Sequence, residues 1–178
     1  MSNTKHYLIT AITLGLIGAA SAALIGVTNL ITKDKIVQNE IDKVNAGIKD
    51  IFGTDASVKS ESNLTDAGFD NEYKYVNYLY TVSIDENNTG YAFRTTGSNM
   101  YGKISLLLGF EGTSYGFIGL YVVTNEQTYA STLEEKYLEP VNDGNRDIEN
   151  VSCGATYGAK LVRDMINEAK EAIGELKE

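Results

Sequence analysis

No charged residue occurs between Tyr7 and Ile31, and most positions in that stretch are apolar. Roughly 20 apolar residues are enough for a helix to cross the hydrocarbon core of a bilayer, so this segment is predicted to be a transmembrane helix. Residues 1–33 then form an amino-terminal membrane anchor. Only Lys5 and His6 precede the apolar run, and Lys33, Asp34 and Lys35 follow it, so charge counting leaves the orientation open. A cleavable signal peptide is the competing reading, because Ala20, Ser21 and Ala22 resemble a small-residue cleavage site. Apolar sequence nevertheless continues through Leu24, Ile25, Val27, Leu30 and Ile31, which favours an uncleaved anchor. Ala11, Gly15, Gly18, Ala22 and Gly26 recur at helical spacing. That stripe either admits a neighbouring helix or reflects the ordinary composition of membrane helices.

Beyond the anchor the pattern changes twice. Val37, Ile41, Val44, Ile48 and Ile51 fall three and four residues apart, the mark of an amphipathic helix ending near Gly53. Residues 34–54 are thus a linker helix. From Asp55 to about Asn71 the chain is rich in Ser, Asn, Asp and Gly without clear period, and reads as mostly loop. Val76, Tyr78, Tyr80, Val82 and Ile84 then alternate at period two, and Asp85 to Gly90 forms a turn before Tyr91, Ala92 and Phe93, which predicts a hairpin. A second pair of strands is predicted over Lys103–Phe110 and Phe117–Thr124, with the dense apolar content of buried strands. Last comes a helix from about Tyr157 to Leu176, with Leu161, Val162, Met165, Ile166, Ala169 and Ile173 on one face. Its charged positions, among them Lys160, Arg163, Asp164, Glu168, Lys170 and Glu171, read as the solvated face. The predicted fold class is α+β: an antiparallel sheet packed by helices, preceded by one transmembrane helix.

Composition narrows the chemistry. A length of 178 residues accommodates one modest domain beside the anchor, here residues 55–178. The net charge of −9 argues against nucleic-acid binding, since no basic stripe is present to neutralise phosphates. One cysteine, Cys153, excludes an intrachain disulfide framework and a multi-thiolate zinc site, and one histidine, His6, excludes multi-histidine metal sites. His6 reads as interfacial, and no metal ligands are assigned.

The most informative chemistry lies at Asn150-Val-Ser-Cys-Gly-Ala-Thr-Tyr-Gly158, which runs directly into the final helix. A threonine at a helix mouth, preceded by a flexible glycine, is placed where unpaired N–H groups and the positive end of the helix dipole favour a phosphate. Gly154 and Gly158 would let backbone approach closely. The alternative is that Thr156 serves only as an N-cap. Cys153 reads as a small buried residue standing in for serine. Tyr75, Tyr78, Tyr80, Tyr91, Tyr101, Tyr115 and Tyr121 are accounted for mainly by sheet packing, whereas Tyr129 and Tyr157 flank the proposed site.

Taken together, these residues resemble RnfG, the membrane-anchored, FMN-binding component of the Rnf electron-transport complex, whose domain is shared with the related FMN-binding component of sodium-pumping NADH:quinone reductase. The likeness runs through the anchor ending near Asn29-Leu-Ile-Thr-Lys33, the strand run Tyr91-Ala-Phe93, the stretch Tyr101-Gly-Lys-Ile104, Leu120 to Thr128, and the motif around Thr156. It implies FMN bound covalently through a phosphoester to the Thr156 hydroxyl, with Cys153, Gly154, Ala155 and Tyr157 around it. Glu126, Thr128 and Tyr129 match a flavin-proximal loop. Three departures are visible: Asn150 replaces the usual Asp, Cys153 replaces Ser or Thr, and the loop Asn125–Ala130 lacks the family's proline and glycine.

What the resemblance implies is an electron-carrier subunit, without catalytic residues of its own, in an ion-translocating ferredoxin:NAD oxidoreductase complex. Other integral-membrane subunits and a flavin-attaching transferase would be its partners. The protein would lie in the plasma membrane as a single-pass chain, its amino terminus cytoplasmic and its domain extracytoplasmic. Two other functions fit the same elements. One is a stand-alone flavinylated surface protein for extracellular electron transfer, and the other is a pilin-like or surface-binding structural protein without flavin.

Overall fold

The computed structural model describes residues 2–64, 66–69, 72–85 and 88–176. The chain divides into two units, residues 1–42 and 43–178. The first helix, α1 (Ser2–Phe52), contributes to both.

In the first unit, His6–Asn29 is an apolar helix of 24 residues with mean hydropathy 2.2, none of its span buried within the protein. It is long and apolar enough to cross a membrane. The hydroxyls of Thr10, Thr13, Thr28 and Thr32 each donate to the carbonyl four residues earlier, at 2.7–2.8 Å. Such back-bonding leaves none of these four hydroxyl donors unpaired, which suits an apolar surrounding.

The second unit begins with the last turns of α1, which end where Gly53 turns the chain at φ 105°. Five antiparallel strands follow as a meander in the order β1-β2-β3-β4-β5: β1 (Ser57–Asn63), β2 (Val76–Ser83), β3 (Thr89–Asn99), β4 (Gly102–Glu111) and β5 (Phe117–Asn125). The fold is α+β, as the sequence predicts. Helix α4 (Thr156–Glu175) lies on one face of the sheet, and the end of α1 lies on the other. β4 therefore sits between two layers. Ile104, Leu106, Leu108 and Phe110 join the α4 core, while Leu107 joins Val44 and Ile48 of α1. Burial on both faces is why this strand reads as a nearly continuous apolar run.

All six residues of the predicted apolar face of α4 are buried. One residue of its supposed solvated face has a structural task. Glu168 accepts the backbone N–H groups of Tyr75 at 2.5 Å and Val76 at 3.0 Å, and so holds the start of β2 against the helix.

Three expectations are corrected, and one helical segment has no counterpart in the sequence reading. The stretch from Asp55, expected to be loop, contains β1, paired with β2 from Ser57↔Ser83 to Asn63↔Tyr78. As an edge strand of Ser, Lys, Glu and Asn with a bulge between Val58 and Ser60, it buries neither face and shows no apolar period. The strict alternation of β2 is broken by an irregularity between Val76 and Tyr78. Tyr80 and Val82 face α1, Val76 and Leu79 face α4, and Tyr78 is 40% exposed. β3 continues well past Phe93 through polar residues, because its buried Thr95 is satisfied by Leu106 O and by the Ser105 hydroxyl. Finally, Ala130–Asn142 is helical: α2 (Ala130–Leu133), a π-helical turn (Glu134–Leu138) and α3 (Glu139–Asn142). Its buried Leu133, Tyr137, Leu138 and Val141 join the α4 core, but over such short pieces no period is legible. Thr65, Asp70 and Asn71 of the expected loop, and Glu86 and Asn87 of the expected turn, lie outside the described residues. Asp85 and Asn88 close that turn, with Asn88 N–H donating to Asp85 Oδ1 at 2.8 Å.

The α1 side of the sheet holds a titrating group. Burial, reinforced by the Glu61 carboxylate that accepts its hydroxyl at 3.1 Å, pushes Tyr80 up to about 12, against an opposing pull from Arg94. In the unfolded chain a tyrosine titrates near 10, so the folded state keeps this proton longer. The resulting stability is present below pH 10 and is lost as pH rises from 10 to 12. Tyr80→Phe is expected to flatten this alkaline loss, as followed by circular dichroism between pH 9 and 12.

Candidate functional site

Beyond β5 the chain crosses the β3–β4 turn and is tied to it by backbone bonds. Glu126 N–H donates to Lys103 O and Thr128 N–H to Tyr101 O, both at 2.8 Å. Side chains add to this seam, Gln127 Nε2 donating to Gly102 O at 2.5 Å and Thr128 Oγ1 to Tyr101 O at 3.1 Å. The crossing is so close that a Cβ on Gly102, which has φ 134°, would stand 2.1 Å from Glu126 O. Only glycine satisfies both the backbone angle and the approach.

The opposite wall is the start of α4. Gly154 takes φ 85°, Ala155 is the N-cap, and Thr156 is the first helical residue. The first backbone bond of this helix start runs from Ala159 N–H to Ala155 O at 3.0 Å. Helix geometry leaves the N–H groups of Thr156, Tyr157 and Gly158 without intrahelical acceptors. An alanine at the N-cap has no oxygen to offer them, no side chain caps the turn, and no acidic residue occupies it. These donors, together with the positive end of a 20-residue helix, suit an anion.

Between the walls lies a cleft of about 50 Å³, lined by Tyr101, Gln127, Tyr129 and Leu133 on one side and Gly154 to Gly158 on the other. Pockets that enclose whole organic ligands measure roughly 300–1,000 Å³. The cleft is small and partly open, so it is far from enclosing a whole organic ligand. Aromatic side chains stand at its mouth. Tyr101 packs between Tyr129, at a centroid separation of 5.8 Å, and Tyr157, at 5.6 Å. The two outer tyrosines are 54% and 60% exposed, and Lys160 Nζ lies 5.7 Å from the Tyr157 ring centre.

Of the residues singled out from sequence, Gly154, Ala155, Thr156, Tyr157 and Tyr129 meet in this cleft. Cys153 lies just outside it, 8% exposed and packed into the α4 core. Glu126 and Thr128 are exposed and do not line it, whereas Gln127 between them does. The N-cap alternative for Thr156 does not describe the structure, because that position belongs to Ala155. Gly158 serves packing: a Cβ there would stand 2.9 Å from Leu133 Cδ2, so glycine lets α4 close on α2. Tyr101, Gln127 and Leu133 were not assigned to the site from sequence. Their role follows from a chain crossing that no local pattern announces.

Residues 1–51 match the family described as the RnfG N-terminal region. Over that stretch the chain resembles the RnfG component of the Rnf complex, and the match ends before the sheet and the cleft. No curated protein matches the chain.

Proposed function

We propose that the chain is a membrane-anchored electron-transfer subunit of an Rnf-like ion-translocating ferredoxin:NAD oxidoreductase complex, carrying FMN as a phosphoester on Thr156. The amino-terminal likeness supports the electron-transfer and membrane assignments. The observation that carries the cofactor reading is the uncapped first turn of α4, open onto a small cleft that Thr156 lines. Thr156 would supply the ester oxygen. The N–H groups of Tyr157 and Gly158 would offset the remaining phosphate charge, and Tyr129 and Tyr157 would offer ring surfaces outside the cleft. Bound FMN supplies the electron chemistry, and the protein holds it and tunes it. Cys153, Glu126 and Thr128 then act through the loops that they belong to.

In this reading residues 1–33 anchor the chain, 34–54 link, and 55–178 carry the flavin. The amino terminus is cytoplasmic, and the domain faces the extracytoplasmic side, beside the other membrane subunits. The test is an ultraviolet image of a denaturing gel of the protein made together with a flavin-attaching transferase. A fluorescent band at the mass of the chain is expected, and a dark wild-type band sinks the reading. Protease added to intact cells stripped of their wall is expected to remove the domain; full protection reverses the orientation.

A further inference from the structure

The segment Arg146–Ser152 has no regular secondary structure, yet side chains hold it at several points. Arg146 supplies most of them. Its Nε donates to Asn150 O at 2.8 Å, its Nη1 to Lys136 O at 2.8 Å, and its Nη2 to Ser152 O at 2.5 Å, with a longer contact to Asn150 Oδ1 at 3.5 Å. The guanidinium also sits over Tyr137, 5.5 Å from the ring centre, and the Tyr137 hydroxyl donates to Ile148 O at 2.5 Å. On the α4 side, Glu149 accepts from Asn167 Nδ2 at 2.9 Å and lies 3.9 Å from Arg163 Nε.

Three main-chain carbonyls, one from the π-helical turn and two from the segment itself, therefore converge on one planar cation. The last of them, Ser152 O, stands two residues before Gly154, where the backbone swings to φ 85° and enters α4. We propose that Arg146 is a positioning residue for the turn at the mouth of α4. By bracketing the carbonyls of Lys136, Asn150 and Ser152, it fixes the direction from which the chain enters Gly154, and so the aim of the Thr156 hydroxyl and of the free N–H groups beside it. Lysine does not replace it. An ammonium is a compact charge with one nitrogen, whereas the guanidinium presents five N–H donors in a rigid fork. Without the bracket the segment regains backbone freedom, and the orientation of the reacting hydroxyl spreads.

The inference extends the flavin reading to a residue outside the cleft, and the test separates the two. Full-length wild type, Arg146→Lys and Arg146→Gln are compared in detergent micelles. In the first arm, made without transferase or flavin, amide resonances and hydrogen exchange are recorded for residues 150–158. The variants are expected to shift the Gly154–Gly158 resonances and to speed their exchange by about tenfold, with protection in β4 retained. Unchanged amides overturn the proposal. In the second arm, made with the transferase, flavin per folded molecule is expected to fall by about fivefold or more in both variants. Rescue by lysine to wild-type loading overturns the bracket, as does a lowered melting temperature with loading per folded molecule unchanged. Should the wild type take no flavin, the cofactor reading fails and the amide arm alone decides on Arg146.

Discussion

Thr156→Ala is expected to remove all flavin fluorescence from the denatured chain while leaving the domain folded. The loss is complete because a phosphoester needs the hydroxyl oxygen, and alanine has none. The fold survives because Thr156 is half-buried at the first helical position, Ala155 rather than Thr156 is the N-cap, and no side chain caps this turn. Alanine is also the better helix former, so the change in stability is expected to stay within about 0.5 kcal/mol. Thr156→Ser keeps the oxygen and is expected to retain part of the fluorescence. In-gel fluorescence beside a melting curve of the full-length chain checks both statements. Fluorescence that persists in the alanine variant moves the attachment to another residue, and a collapsed domain shows that Thr156 has a packing role absent from the present structure.

Gly102→Ala is expected to have the largest effect on stability and to damage the site with it. Two costs combine at this position. The backbone stands at φ 134°, which L side chains rarely adopt, and the new Cβ would lie 2.1 Å from Glu126 O, a main-chain atom that cannot rotate away. A destabilisation of about 3 kcal/mol or more is expected. Gly53→Ala is the internal control, since Gly53 has φ 105° but no atom within 4 Å of the added Cβ. Backbone strain alone is expected to cost it about 1–2 kcal/mol. The difference between the two variants, read from thermal melts, isolates the collision. Because Glu126, Gln127 and Thr128 hang from Tyr101–Lys103 by hydrogen bonds, relief of the clash displaces Gln127 from the cleft wall. Flavin loading of Gly102→Ala is therefore expected to fall even at temperatures where the domain is still folded. Equal melting temperatures for the two variants are incompatible with this account.

Much of the fold was legible where local chemistry decides the outcome. The uncharged run from Tyr7 to Ile31 could form little other than a long apolar helix, and the three-and-four spacing from Leu161 to Ile173 marked the face that α4 buries. The doubly buried β4 showed itself as an apolar run. Edge strand β1 and the polar half of β3 were not legible, because their pairing is decided by backbone bonds to neighbouring strands, while their side chains carry no period. Glu168 illustrates the same limit: on its own helix it looks like one more solvated carboxylate, yet the N–H groups that donate to it lie more than 90 residues away in sequence.

The candidate site divides along the same line. The amino-acid sequence by itself placed a helix start close to Thr156, because the onset of an apolar period is a property of consecutive residues, whereas the uncapped turn with Ala155 at the N-cap came from the structure. It also marked the threonine hydroxyl at that start and the tyrosine that follows. Only the tertiary structure decided that this helix start faces Gln127 and Leu133, that Tyr101 joins Tyr129 and Tyr157, and that a small cleft results between them. The physical reason is that the cleft exists only where the segment after β5 passes over Gly102, 25 residues away in sequence, and a close crossing of distant backbone leaves no mark in either segment beyond one glycine.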